Sequence, residues 1–85
     1  MHLERLHELP CVACTLLGAK SPGIMVQVHH LESVRDDMTD WAAVPLCVFH
    51  HSELHRMSRR GFERQTKLTP IDLLAGTIKL LVEGK

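Results

Sequence analysis

At 85 residues, the chain is long enough for one small domain and too short for two. Ten basic and ten acidic side chains give a net charge of zero, which excludes a protein that attracts nucleic acid through overall positive charge. Aromatic residues make up 4% of the chain and three cysteines cannot all pair, so a metal is a better candidate than a closed disulfide framework for stabilising the core.

The first predicted element is a short helical segment over residues 2–9, in which leucines recur at every third position. Pro10 should end it, because the residue before a proline avoids helical backbone angles. Cys11 and Cys14 then bound a predicted turn and have the Cys-x-x-Cys spacing of a metal clip.

A strand is predicted next, after a turn at residues 21–23. Residues 24–28 are apolar and rich in β-branched side chains, which is typical of a strand, and they lead directly to His29 and His30. Because neighbouring side chains of an extended segment point to opposite sides, one histidine can bind a metal while the other faces a substrate.

The second half is predicted to consist of a loop and then helices. Residues 31–45 are polar and irregular, a helix runs from Leu46 or Cys47 to about Met57, and residues 58–67 contain a glycine and are predicted to be broken. Residues 56–67, at the end of this helix and beyond it, include five basic residues and one acidic residue. Such a run is either a solvated surface or an edge that contacts phosphates. The five basic residues are Arg56, Arg59, Arg60, Arg64 and Lys67.

The last predicted element is a helix over about 70–83, to which we assign no chemistry. Thr69, Pro70 and Asp72 form a helix start, with a capping hydroxyl, a proline at the first position and an acid in the first turn. The face predicted to pack on the rest of the domain consists of Ile71, Leu74, Ile78 and Leu81.

Two matched pairs of residues predict a structural metal site. Cys11 with Cys14, and Cys47 with His50, each offer two ligands to one side of an ion. Three cysteines and one histidine are a common closed ligand set for zinc. The cysteines could instead be small core residues, but the repeated spacing in a chain so poor in aromatics favours zinc.

Three further histidines predict a second metal site. His51 and His55 are four residues apart and therefore share one helix face, while His29 ends the predicted strand. For His51 and His55, the alternative is an exposed histidine-rich helix that binds no metal. Three imidazoles around one ion would leave coordination positions open, which is the mark of a catalytic rather than a structural metal.

Together, residues 11–14, 28–31 and 40–55 resemble zinc-stapled HNH (ββα-metal) endonucleases, especially the small phage and prophage nucleases that include relatives of the recombination-enhancing Ref nuclease. The resemblance covers about residues 9–66. It implies a small α+β fold in which a β-hairpin followed by a helix grips one catalytic metal. A structural zinc site and the C-terminal helix complete a single nuclease domain, residues 1–85.

The resemblance also implies roles for individual residues. His30 falls on the general base, and His29, His51 and His55 fall on ligands of the catalytic ion. The two matched pairs fall on the structural zinc ligands. Many members of the family carry an asparagine that orients the base, whereas this chain has no asparagine. Asp40 is the nearest residue that could accept a hydrogen bond from the His30 ring.

The implied function is hydrolysis of phosphodiester bonds in DNA, with structural Zn²⁺ and a catalytic Mg²⁺, Mn²⁺, Zn²⁺ or Ni²⁺ as cofactors. DNA is the expected partner, beside a phage recombination or packaging protein, and no membrane contact is expected. The N-terminal residues lack a signal-peptide pattern, so we expect a cytoplasmic location, in a bacterial host cell for a phage-encoded chain. The DNA structure preferred, nicking or double-strand cutting, and the oligomeric state are left open.

Two other functions share part of this pattern. A non-catalytic zinc module that binds nucleic acid accounts for the matched pairs and the basic run, but not for the other histidines of the central segment. A structural or protein-interaction domain predicts neither DNA binding nor a second metal. Counting the metal ions bound per chain separates both alternatives from the nuclease. One tightly held zinc favours the alternatives, and a second, weaker site favours the nuclease.

Overall fold

The computed structural model of the protein describes residues 2–19, 26–31 and 35–83. Over these ranges it contains helices and one two-stranded antiparallel sheet, which confirms the prediction of a small α+β fold. The turn predicted at residues 21–23 lies outside the described residues. The elements are α1 (His2–Leu6), α2 (Val12–Leu16), β1 (Gln27–His30), β2 (Ala43–Leu46), α3 (Val48–Thr66) and α4 (Pro70–Glu83), with a short 3-10 turn at Asp36–Met38 between the strands.

Two short helices take the place of the helical segment and the turn predicted for the N-terminus. α1 ends at Leu6 rather than at residue 9, and most of the segment from Cys11 to Cys14 belongs to α2. Cys11 caps α2, since its Sγ accepts a hydrogen bond from the backbone N–H of Cys14 at 3.4 Å. The Cys-x-x-Cys spacing therefore marks a helix start here rather than a turn.

The two strands form a hairpin in which Val28 lies opposite Pro45. Of the strand predicted at 24–28, residues 24 and 25 lie outside the described residues, and β1 extends past residue 28 to His30. The prediction of an irregular segment through residue 45 is wrong over β2. A proline inside the segment argued against a strand. However, the Leu31 N–H donates to the Ala42 carbonyl, and the alternation of an antiparallel ladder then puts Pro45 in a non-hydrogen-bonded pair, where no N–H is needed.

α3 is a long helix with one interruption. Ser58 has φ 68° and ψ 165°, a backbone conformation found almost only at glycine, and its Oγ accepts a hydrogen bond from the Gly61 N–H at 3.5 Å. The helix end predicted near Met57 therefore coincides with a kink. The break predicted over residues 58–67 is confirmed at Ser58 only, because the helix resumes after this residue and continues to Thr66, where Lys67 caps it with φ 64°.

α4 begins at Pro70, where the capping signals predict it, but a different face is buried. Thr69 and Asp72 exchange hydrogen bonds of 2.9 and 3.1 Å between side chain and backbone. Two residues of the predicted packing face are instead exposed, Ile71 to 77% and Ile78 to 54%. The buried residues of α4 are Leu73, Gly76 and Thr77.

Gly76 explains why this face of α4 is buried, because a residue without a Cβ lets α4 approach α2 closely. A Cβ at this position would lie 2.8 Å from Val12 Cγ2 and 3.1 Å from Leu16 Cδ1. We expect Gly76→Ala to lower the free energy of unfolding by about 1–3 kcal/mol, since overpacking outweighs the gain in helix propensity. Chemical denaturation measures the change, with Ala75→Gly at the exposed neighbouring position to calibrate propensity alone. A stabilised Gly76→Ala protein would contradict the close approach.

The core lies between the hairpin and the helices, and it contains all three cysteines. Its largest fully buried apolar side chains are Leu6, Val12, Val44, Leu46 and Phe62. The division into a core of about residues 9–66 and a packing helix remains a prediction. Among the helices that the structure describes, none has the length and apolar character needed to cross a membrane.

Candidate metal centres

The three cysteines and one histidine predicted to bind zinc meet in one cluster. The His50 Nδ1 lies 3.5 Å from Cys11 Sγ and 3.4 Å from both Cys14 Sγ and Cys47 Sγ, and the latter two sulfurs are 4.0 Å apart. A tetrahedral zinc with Zn–S bonds of about 2.3 Å and Zn–N bonds of about 2.0–2.1 Å holds two sulfurs about 3.8 Å apart and sulfur about 3.6 Å from nitrogen. The donors and their spacing therefore fit a metal such as zinc.

The same local structure presents both halves of this cluster. Cys11 precedes α2 and Cys47 precedes α3, and each Sγ accepts a hydrogen bond from the backbone N–H three residues later, at 3.4 and 3.5 Å. The second ligand of each pair, Cys14 or His50, lies in the first helical turn. Each helix start therefore positions two ligands, one at the cap and one in the first turn.

Burial controls the protonation of this cluster. Burial, followed by the neighbouring thiols of Cys11 and Cys47, raises the pKa of the Cys14 thiol to about 12, and burial lowers the pKa of His50. The imidazole is thus held in its neutral, metal-binding form, whereas the Cys14 thiol keeps its proton until a metal displaces it. Metal binding at this site is therefore coupled to proton release and to folding.

A second cluster joins β1 to α3. His29, His51 and His55 each offer a nitrogen, and these atoms lie within 4.8 Å of one another. The Nε2 atoms of His51 and His55 are 3.1 Å apart, and the His29 ring lies edge-on to both, with centroid distances of 5.3 and 5.5 Å. Two nitrogens about 2.1 Å from one ion are about 3.0–3.4 Å apart, so this spacing also fits a shared metal. This cluster is more exposed than the thiol cluster, which leaves room for water or substrate.

Gln27 contacts this second cluster, and sequence reasoning missed it. Its Oε1 lies 2.5 Å from the Nδ1 of His51, while burial and the neighbouring His55 lower the pKa of His51. The signal available in the sequence was the spacing, because Gln27 and His29 are two residues apart and share one face of the strand.

His30 and Asp40 form a further pair on the hairpin that carries His29. The Nε2 of His30 lies 3.2 Å from Asp40 Oδ1, and both side chains are exposed to solvent, by 46% and 63%. Asp40 belongs to the turn that precedes β2, and His30 lies opposite Ala43, so closure of the hairpin brings the two together. If the Nε2 proton is donated to Asp40, the lone pair of the ring is on Nδ1.

Arg59 and Arg60 lie beside the second cluster. They line a cleft of about 420 Å³ whose wall also includes His29 and His55, with Glu63 as an acidic neighbour. The rest of the lining is mainly apolar and includes Leu31, Leu54, Phe62, Leu68 and Leu73. The part of α3 after Ser58 therefore presents two cations next to the second cluster.

The other three basic residues of the run differ in their surroundings. Arg64 and Lys67 line a shallower depression that Arg60 also borders. Arg56 forms an ion pair with Glu53 on its own helix. Its charge is therefore partly neutralised before any ligand arrives, unlike a cation that faces solvent alone.

Comparison with known proteins identifies a family to which the chain is similar. The model of a protein family described as recombination enhancement, RecA-dependent nuclease, matches residues 2–79. No curated protein and no solved structure matches the chain. The matched range includes both metal clusters and the pair of His30 and Asp40.

Proposed function

The chain belongs to the family of RecA-dependent nucleases of recombination enhancement, and on that premise we propose that it is an HNH-type, metal-dependent DNA endonuclease with a ββα-metal core. The observation that carries this proposal is the cluster of His29, His51 and His55 on a hairpin and the helix after it, together with the contact between His30 and Asp40 on the same hairpin. Exposed imidazoles that converge on one point next to two cations suit the hydrolysis of a phosphodiester.

His30 acts as the general base of the proposed reaction. Its Nδ1 takes a proton from water as the water oxygen attacks phosphorus, while Asp40 accepts the Nε2 hydrogen bond and holds the tautomer. A divalent ion bound by the three imidazoles supplies stabilisation of the charge that grows on the phosphate and on the leaving 3′ oxygen. The leaving 3′ oxygen takes up a proton, so the products carry a 5′ phosphate and a 3′ hydroxyl.

Structural Zn²⁺ is assigned to the thiol cluster. The catalytic ion is one of Mg²⁺, Mn²⁺, Zn²⁺ and Ni²⁺, of which the imidazole donors favour the transition ions. Arg59 and Arg60 contact the DNA backbone at the cleft, and Arg64 and Lys67 extend this track along the helix. Phosphate contacts carry no base information, so we expect weak sequence preference. The family description adds a RecA-type recombinase as the expected partner.

Metal-dependent cutting of DNA tests the proposal. The purified protein is freed of weakly held ions with a mild chelator, and then Mg²⁺, Mn²⁺, Zn²⁺ or Ni²⁺ is restored in separate assays on supercoiled plasmid and on single-stranded circular DNA. Each assay is run with and without RecA and ATP. We expect cutting to return with at least one ion. Binding of DNA with no cutting under any condition would overturn the proposal in favour of the non-catalytic zinc module.

Arg59→Ala combined with Arg60→Ala should weaken DNA binding and flatten its salt dependence. Each phosphate contact contributes about 0.7–0.9 to the slope of log K against log salt, so the loss of two contacts should reduce the slope by roughly 1.4–1.8. Titrations at several salt concentrations, with a catalytically inactive background, measure the slope. Lys79→Ala on α4, which also removes an exposed cation, is the control and should leave it unchanged. An unaltered slope in the double variant would show that these arginines only face solvent.

A further inference from the structure

Gln27 lies at the start of β1 and reaches across to α3. Its side-chain oxygen is 2.5 Å from the Nδ1 of His51, a residue of the imidazole site. Its backbone is held in place, because it pairs with Leu46, which is fully buried and directly precedes Cys47 of the thiol cluster. The exposed amide therefore extends from a backbone position that the hairpin fixes.

This contact decides which nitrogen of His51 can bind an ion. A neutral imidazole has one N–H and one lone pair. With Nδ1–H donating to the Gln27 oxygen, the lone pair is on Nε2, which faces the Nε2 of His55 at 3.1 Å inside the cluster. If the amide were turned so that its NH₂ group donated to Nδ1, Nε2 would carry the proton and could not bind a metal. A bound ion therefore selects the orientation in which the carbonyl faces His51.

The chemical type of the residue matters as much as its place. Metal-binding histidines commonly donate their second N–H to a carboxylate, a backbone carbonyl or water, and a carboxylate makes the imidazole the strongest donor. An amide oxygen orients the ring without adding negative charge. The ion then keeps its full positive charge for an anionic ligand, and Arg59 and Arg60 are not opposed by an additional acid at this side of the site.

We propose that Gln27 is a positioning residue of the imidazole site: it fixes the metal-binding tautomer of His51 and, as an uncharged amide, adds no carboxylate that would repel phosphate. This inference rests on the proposed function for its second half only, since the first half concerns ion binding without DNA. It predicts opposite consequences for two substitutions. Gln27→Leu removes the acceptor, whereas Gln27→Glu keeps the acceptor and adds the charge.

The test uses the full chain loaded with its structural zinc. Binding of Mn²⁺ is measured by calorimetry for the unsubstituted protein, for Gln27→Leu and for Gln27→Glu, together with zinc content and thermal melting. We expect Gln27→Leu to lose about 10–100-fold in Mn²⁺ affinity, with zinc content and melting unchanged. Gln27→Glu should bind Mn²⁺ at least as tightly as the unsubstituted protein. Gln65→Leu, which replaces an exposed glutamine elsewhere on α3, is the matched control and should bind normally.

The DNA measurements separate the two halves of the inference. For Gln27→Glu we expect a raised KM for DNA beside tight Mn²⁺ binding, since the added charge repels the phosphate but still orients the ring. Equal Mn²⁺ affinity in Gln27→Leu and the unsubstituted protein would overturn the positioning role alone. An unchanged KM in Gln27→Glu would overturn the proposal that the uncharged amide avoids repelling the DNA phosphate. Absence of Mn²⁺ binding by the unsubstituted protein would overturn this inference, whereas the proposed function is overturned only if none of the four ions restores cutting.

Discussion

Cys11→Ala should unfold the protein rather than disable its chemistry directly. The apparent free energy of binding of a structural zinc is about 10–16 kcal/mol, which matches or exceeds the whole stability of a small domain, roughly 5–15 kcal/mol. Cys11 is fully buried, its sulfur caps α2, and it lies 3.5 Å from the His50 nitrogen. Its loss removes a ligand and a cap together, so zinc content and the cooperative melting transition should both disappear, and activity only as a consequence.

Val12→Ala is the matched control for this substitution. Val12 is the next residue, equally buried, and offers no ligand atom, so its truncation leaves a cavity but keeps the metal. We expect this variant to retain one zinc per chain and to lose about 0.5–2 kcal/mol of stability, a range below that for larger aliphatic truncations. Metal analysis and thermal melting are measured on both variants. A folded Cys11→Ala protein with normal melting and no zinc would show that the cluster is not the staple of the fold.

Local periodicity explains why the two metal clusters could be predicted from the sequence. Cys47 and His50 share the first turn of a helix, and His51 and His55 share a neighbouring face, so one helix supplies ligands to two sites from adjacent positions. Helical geometry fixes these relations within a few residues. A helix near residue 47 was enough to predict these two pairs, whereas Cys11, Cys14 and His29 join them only through the tertiary fold.

The contacts that sequence reasoning missed depend on tertiary structure. Pro45 argued against a strand, and only the register of the hairpin shows that it occupies a position where a missing N–H costs nothing. Ile71 and Ile78 fitted an apolar helix face, but the close approach at Gly76 buries the neighbouring face instead. Gln27 offered only its two-residue spacing from His29, because a single glutamine acquires its role from the ring that it touches.

The contact between His30 and Asp40 was predicted, but not from local spacing. The two residues are ten positions apart, and nothing in their spacing predicts a contact, so the pairing was suggested only by resemblance to HNH nucleases. The structure brings Nε2 and Oδ1 to 3.2 Å through the hairpin. Their proximity is a geometric fact, whereas their roles in proton transfer remain a prediction with a direct kinetic test.

His30→Ala should abolish most of the activity of a protein that still folds. Removing a general base costs about a hundredfold to ten-thousandfold in rate, while zinc content, melting and DNA binding should survive, because His30 belongs to neither metal cluster. Single-turnover cutting of plasmid DNA measures the rate, and added imidazole should restore part of it by supplying the missing base. His7→Ala, a histidine outside both clusters, is the control. A zinc-loaded His30→Ala protein that cuts at the unsubstituted rate would remove His30 from the mechanism, and a slow variant that imidazole cannot rescue would point to positioning rather than proton transfer.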